Sequence, residues 1–345
     1  MNVERQVVRG ETRASVWRRR VLTVPLIFVS FVVVLALSPI WIPTAALVDS
    51  TAGARTAWLR SGSMLMIYLA CEVIGVGASV VLWIGRLGDA FRQDPLESSF
   101  RSHVRLQTWW AGTLMNWARR LFRISFSAEG LDVLDRPMIL MLTHSSLADT
   151  LLATEFVSKP HEIHLRYLLK QELLVDPCLD IVGHRLPNYF VDRDSDDPED
   201  VRSDVLALLS DLRGREGALI YPEGTRFSSA KRERLISRFE AKGDLEMAER
   251  TRRLRHTLPP RVGGALAMLD ADSGLDVVFC AHRGFGAARR PTDLLGGALL
   301  DTRVEVRFER VPCEEIPSAP EARREWLFEQ WKRMDDWIES KGGAL

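Results

Sequence analysis

The sequence predicts an α/β fold: a mixed, largely parallel sheet flanked by helices, preceded by an N-terminal membrane helical hairpin. Three observations carry this. Two long apolar segments lie within the first 84 residues, Val21–Leu37 (running on past Ser38-Pro39 to Val48) and Met64–Ile84. From Ile124 onward, short apolar runs of strand length recur, three of them ending in charged or turn residues. A helical stripe opening at Pro198 intervenes between such runs, and buried strands alternating with helices favour parallel pairing.

The first twenty residues carry six arginines against two glutamates, ending Arg18-Arg-Arg20. The first apolar segment alone is marginal for a hydrocarbon layer about 30 Å thick, and the longer count spans it comfortably. Met64–Ile84 holds a single charge, Glu72, which is costly there unless paired or near the interface. Arg18–Arg20 precede the pair and Arg86 and Arg92 follow it, whereas the link carries only Arg55 and Arg60. That asymmetry puts both ends of the hairpin in the cytosol. A hairpin dipping into one leaflet, bent at Pro39 and Pro43, fits the same residues. Leu106–Phe122, with Trp109, Trp110, Trp117 and Arg119-Arg120, suits either a helix at the lipid headgroups or an amphipathic helix packed on the domain.

The α/β part begins with alternation over Ile124–Glu129 and a turn at Gly130. Met138-Ile-Leu-Met-Leu142 reads as a buried strand, followed by Thr143 and His144. A helix is expected next, capped by Ser145 or Ser146. Tyr189-Phe-Val191 leads into Asp192-Arg193. Asp197 caps the helix opening at Pro198, whose stripe is Val201, Val205, Leu208, Leu209 and Leu212, and Arg213-Gly214 closes it. Gly217–Tyr221 is a further buried strand, breaking at Pro222-Glu-Gly-Thr-Arg226. Leu275–Ala281 is another, closing at His282-Arg283, and Thr302–Glu309 alternates like an edge strand. The tryptophans of Pro320–Ser340 fall at helical spacing and read as packing.

Composition narrows the chemistry. The 345 residues sum to a net charge of +0, which argues against a general nucleic-acid binder. Charge is nonetheless segregated: Asp192–Asp200 is acidic, a solvated face, and Arg226–Val262 is basic, suited to phosphate or an anionic membrane surface. Cys71, Cys178, Cys280 and Cys313 lie far apart and suggest neither disulfides nor zinc, and His161 and His164 read as ordinary surface or core residues. No metal site is expected.

His144 stands where a strand gives way to a helix, the crevice in which open α/β sheets place ligands. Asp149 is within reach of its ring, and such a pair fixes the tautomer and supports a general base. Gly224 lets backbone approach a ligand, Arg226 offers a fork to phosphate, and Arg193 and Lys170 add positive charge if the strands are neighbours. A base beside phosphate-binding cations, tethered to a membrane hairpin, points to chemistry on an anionic lipid.

At these residues the sequence resembles the glycerolipid acyltransferase family that includes 1-acylglycerol-3-phosphate acyltransferases. The family's Asn-His-x-x-x-x-Asp motif is matched by His144 and Asp149, with Thr143 in place of Asn. Its second block looks like Lys170, Pro177, Gly183 and Phe190-Val-Asp-Arg193; its third, Pro-Glu-Gly-Thr-Arg, stands intact at Pro222–Arg226. The fourth motif appears as Val277–Ala281 without proline. The basic insert ending Leu258-Pro-Pro-Arg261 and the Trp-rich tail look closer to the lysocardiolipin-acyltransferase-like branch. The resemblance implies His144 and Asp149 as catalytic residues. It implies Glu223, Gly224, Thr225, Arg226, Arg193 and Lys170 as substrate-binding, acyl-CoA or acyl-ACP as co-substrate, and no cofactor. Its expected partners are membrane lipids and a lysophospholipid acceptor, in the plasma or inner membrane with the catalytic domain facing the cytosol. The corresponding division is a basic N-terminus (1–20), a membrane hairpin (21–92), an interfacial linker (93–123) and an acyltransferase domain with a C-terminal helix (124–345).

Overall fold

The computed structural model describes residues 11–53, 55–85, 95–191, 198–212, 214–271 and 273–342. Arg86, Arg92, Arg193, Asp197 and Arg213, all named above, lie outside the described residues. The chain opens with helices α1 (Arg13–Ala36), α2 (Ser38–Ala52), α3 (Ala57–Gly85) and α4 (Pro95–Phe122). Strands β1 (Ser125–Glu129) and β2 (Met138–Leu142) follow, then the short α5 (Lys159–His161), β3 (His164–Lys170), α6 (Pro177–Gly183) and β4 (Tyr189–Val191). Next come α7 (Pro198–Leu209), β5 (Glu216–Ile220), α8 (Ser229–Ala241), α9 (Leu245–Arg253) and α10 (Val262–Asp270). The chain closes with β6 (Asp276–Arg283), β7 (Arg303–Val311) and α11 (Pro320–Ser340).

The strands form one seven-stranded sheet in the order β1-β7-β6-β2-β5-β3-β4. β1 runs parallel to β7, β6 and β5 parallel to β2, and β3 parallel to β4; β7 against β6 is antiparallel. The sheet is thus mixed and largely parallel, as the apolar runs imply. β7 corrects one expectation. Its alternation reads as an edge strand, yet it lies between β1 and β6, because short β1 adds on outside it. β3 was not anticipated: His164 and Arg166 are buried within it, so its sequence lacks a continuous apolar run.

The chain divides into two compact units: 1–123 with 166–196 and 294–300, and 124–165 with 197–293 and 301–345. In the first, α1 and α3 are long and apolar enough to cross a membrane. α1 exposes Val21, Leu22, Leu26, Val29 and Val32. Asp49 at the end of α2 caps α3, accepting from Trp58 N and Leu59 N at 3.0 Å each. Glu72 is fully buried in α3 and is paired as its cost requires: it accepts from Trp110 Nε1 at 2.7 Å and Cys178 N at 3.0 Å. α4 begins eleven residues before the expected Leu106 and packs an apolar stripe including Leu114, Met115 and Phe122, while Trp109 and Trp117 stay exposed. Asp180 of α6, fully buried, binds Arg19 at 2.9 Å, Arg20 at 3.0 Å and His184 at 2.9 Å.

The second unit holds the sheet's central strands. Met138–Leu142, Ala218, Leu219 and Val277–Ala281 are buried, the core on which α7 and α11 pack, with α10 against both helices.

Candidate active site

In a parallel pair both strands end at the same edge of the sheet. β2 is flanked by β5 and β6, with Met141 opposite Ile220 and Leu142 opposite Cys280. Continuing both registers brings His144 level with Glu223 on one side and His282 on the other. Thr143 N still donates to Cys280 O at 3.1 Å, so the ladder holds up to the residue before His144.

His144 Nδ1 lies 2.9 Å from Asp149 Oδ1. The Asp149 side chain is fully buried, and that of His144 is 15% exposed. Asp149 Oδ2 accepts from Ser145 N at 2.7 Å and Ser146 N at 2.8 Å. Burial would raise the Asp149 pKa; the charge and hydrogen bond of His144, then those of His282, outweigh it and hold the carboxyl well below its usual range. A charged carboxylate at Nδ1 makes that nitrogen the donor and leaves Nε2 as the ring's basic atom. Instead of a serine-capped α-helix, a 3-10 turn, Ala148–Leu151, follows His144. The reason is Asp149 itself, whose carboxylate takes the two serine amides. Ser146 Oγ donates to Ala288 O at 2.7 Å and accepts weakly from Ala148 N.

The Pro222–Arg226 segment meets this turn from the other side. Glu223 is buried and accepts from His144 N through Oε1 at 3.0 Å and from Leu258 N through Oε2 at 2.9 Å. Burial pushes its pKa well up against the pull of those two amides, with the Asp149 and Asp335 charges adding to the rise. Gly224 sits at φ +70°, and a Cβ there would stand 2.8 Å from Arg261 Cδ and Nε. Arg261 N donates to Pro222 O at 2.8 Å. Thr225 Oγ1 accepts from Lys231 Nζ at 2.7 Å. Arg226 is half-buried; its Nη1 donates to Arg289 O at 2.7 Å and no ion pair is seen among the described residues. Phe227 N donates to His144 O at 2.7 Å, joining the two motifs by backbone. The Tyr221 ring lies 4.6 Å from that of His144.

The structure therefore brings together His144, Asp149, Glu223, Gly224, Thr225 and Arg226. Lys170 ends β3 in the other compact unit, and Arg193 is outside the described residues. Sequence reasoning missed Arg261 and His282. Arg261 lies more than thirty residues past the glycine it covers, and His282 was legible only as the last polar residue of a strand whose neighbours were unknown. Away from the site, Asp276, Cys313 and Glu314 place ligand atoms within 4.8 Å of one another, but Arg310 already occupies Asp276 at 2.8 Å.

Residues 125–278 match the family model described as Acyltransferase. This stretch is similar to acyltransferase-family domains. The matched stretch contains His144, Asp149 and the whole Pro222–Arg226 segment, while His282 and α11 fall beyond it. The chain is also similar to the 1-acyl-sn-glycerol-3-phosphate acyltransferase epsilon of Mus musculus, 23% identical over 212 residues. That match covers 57% of this chain and 56% of the mouse protein, so the chain spans little more than half the length of this relative. Among solved structures, the 1-acyl-sn-glycerophosphate (LPA) acyltransferase PlsC from Thermotoga maritima is similar over 81% of this chain and 98% of its own, at 17% identity and a TM-score of 0.49.

Proposed function

We propose that the protein transfers a fatty acyl group from acyl-CoA or acyl-ACP to the free hydroxyl of a lysophospholipid, with 1-acyl-glycerol-3-phosphate as the acceptor. The observation that carries this is the 2.9 Å contact between His144 Nδ1 and buried, charged Asp149 inside a stretch similar to acyltransferase-family domains. His144 Nε2 takes the proton of the acceptor hydroxyl as its oxygen attacks the thioester carbonyl. The C–S bond breaks, the acyl ester forms, and the departing thiolate receives the proton from His144. A base so placed contributes about 10²–10⁴-fold, and positioning must supply much of the rest.

The half-buried guanidinium of Arg226, without a carboxylate partner among the described residues, supports a phosphate grip. Lys231, bonded to Thr225, and Arg261, over Gly224, add positive charge against the same segment. Lys170 and Arg193 complete the proposed set by resemblance. The two long apolar helices support a membrane-bound enzyme, and the arginines flanking them support a catalytic domain on the cytosolic side. Tags at the two chain ends should both be reachable from the cytosolic face.

Thiol release from acyl-CoA, with and without each of a panel of lysolipids, tests the reading, with products read by mass spectrometry. Release that depends on lysophosphatidate supports it. Release that depends on lysophosphatidylglycerol, lysophosphatidylinositol or lysocardiolipin moves the acceptor within the class. Release without acceptor marks a thioesterase, and none marks a lipid-binding protein. A His144→Ala protein that transfers at the original rate removes His144 as the base.

A further inference from the structure

His282 lies at the C-terminal end of β6 and is 1% exposed. Its Nε2 is 3.0 Å from Thr143 O and 3.4 Å from Asp149 Oδ2. Both are acceptors, so Nε2 carries a proton, hydrogen-bonded to Thr143 O and facing the Asp149 carboxylate. Its Nδ1 is buried with no hydrogen-bond partner among the described residues. The ring meets Phe285 edge-on at 6.1 Å. A histidine serving only to fill this space would be an expensive choice, because one of its nitrogens stays unsatisfied where an apolar side chain leaves nothing unsatisfied.

We propose that His282 is a positioning residue of the site, the third side chain of a His144–Asp149–His282 constellation. It fixes Asp149 and the Thr143–His144 peptide in one arrangement. Three donors already converge on Asp149: His144 Nδ1, Ser145 N and Ser146 N, all from within five residues of it in sequence. These tie the carboxylate to its own turn, and a turn can shift as a body. Among the described residues His282 supplies the side-chain contact to Asp149 from a separate strand, and β6 is in register with β2 immediately before the turn. The same N–H also holds the carbonyl of Thr143, the residue bonded to His144. The base and its orienter are thus referenced to the sheet, and the Nδ1–H tautomer of His144 follows from that reference. The charged and titratable groups around the pair are Glu223 behind the His144 amide, Tyr221 beside its ring, and Cys280 on β6.

The inference deepens the acyltransferase reading, which casts His144 as the base, but its first test needs no substrate. Full-length protein with ¹⁵N-labelled histidine in detergent micelles gives the ring shifts of His144, assigned by its loss in His144→Gln. Wild type is expected as the Nδ1–H tautomer. His282→Leu should show a mixture of tautomers, whereas His282→Gln, whose amide N–H reaches the former Nε2 position, should restore the wild-type shifts. His282→Asn is polar but too short to donate there and should behave as the leucine variant, which keeps the comparison available if His282→Leu fails to fold. With acyl-CoA and lysophosphatidate, the leucine or asparagine variant should lose about tenfold or more in kcat with little change in either KM, and the glutamine variant should recover most of it. Wild-type tautomer and kcat in His282→Leu or His282→Asn would overturn the proposal. So would a loss that His282→Gln shares while the His144 tautomer stays unaltered. If wild type moves no acyl group yet the tautomers respond as described, the functional reading fails and the role of His282 stands.

Discussion

Asp149 accepts three hydrogen bonds on two oxygens and faces the N–H of His282 at 3.4 Å, and this makes it the residue whose charge matters most. Asp149→Asn keeps the shape but removes the charge opposite His144 Nδ1, so kcat should fall by about 10²–10⁴-fold while binding of the acyl donor is retained. Stopped-flow or steady-state thiol release measures it. Gly224 is the second sensitive residue. An alanine at φ +70° adds backbone strain of about 1–2 kcal/mol and pushes on the Arg261 side chain, so Gly224→Ala should lower the denaturation midpoint. His144, Asp149 and Glu223–Arg226 were legible in sequence because each sits in a short local pattern at a strand end. His282 was not, since a lone histidine ending an apolar run gains meaning only when strand order places it next to β2. Thr143 shows the converse: its departure from the family's Asn is visible in sequence, while the structure has its carbonyl, not its hydroxyl, making the contact to His282.

α11 looked like packing, and its tryptophans bear that out, with Trp331 fully buried and Trp337 nearly so. The helix also does something that spacing alone does not reveal. Asp335 accepts from the backbone N–H groups of Arg255, His256 and Thr257 and from the Thr257 hydroxyl, and Trp331 Nε1 donates to Leu258 O at 2.9 Å. It thereby fixes the segment whose next amide donates to Glu223. Asp335→Ala leaves several buried donors unpaired and should cost at least about 3 kcal/mol, whereas Asp335→Asn, retaining Oδ1, should cost much less. Chemical denaturation followed by tryptophan fluorescence distinguishes the two. Equal losses would mean that charge rather than acceptor geometry is what counts. The edge-strand reading of β7 failed for a related reason: alternation reports which faces are covered, not which neighbours lie in the plane of the sheet.

At the scale of the whole chain, acid sensitivity among the described residues is dominated by two buried, strongly depressed carboxylates, Asp149 and Asp180, one in each compact unit. For Asp180, as for Asp149, burial pushes upward but partners win: His184, Arg20 and Arg19 hold it well below the usual range. The stability each contributes is fully present above the unfolded carboxylate value, about 3.9, and is lost as pH falls through the folded value. Glu223 has the opposite sign. Its folded pKa is raised, so its contribution declines as pH climbs from about 4.3 towards that folded value. Unfolding followed from pH 7 downwards should therefore show Glu223→Gln flattening the upper part of that range and Asp149→Asn flattening the acid end. α1 and α3, 24 and 29 residues, measure about 36 and 44 Å at 1.5 Å per residue, more than a hydrocarbon layer needs. The full chain should stay with membranes through an alkaline carbonate wash and come away only with detergent; release by carbonate would mean that these helices lie on the surface.

The path of the chain around α8 and α9 has a consequence for how such proteins can diverge. The backbone departs from the site at Phe227, whose N–H binds His144 O, and returns at Leu258, whose N–H binds Glu223. Whatever is threaded between those two anchors is a loop on a closed ring, free to lengthen, shorten or acquire a new binding face while the spacing of the reactive groups stays constant.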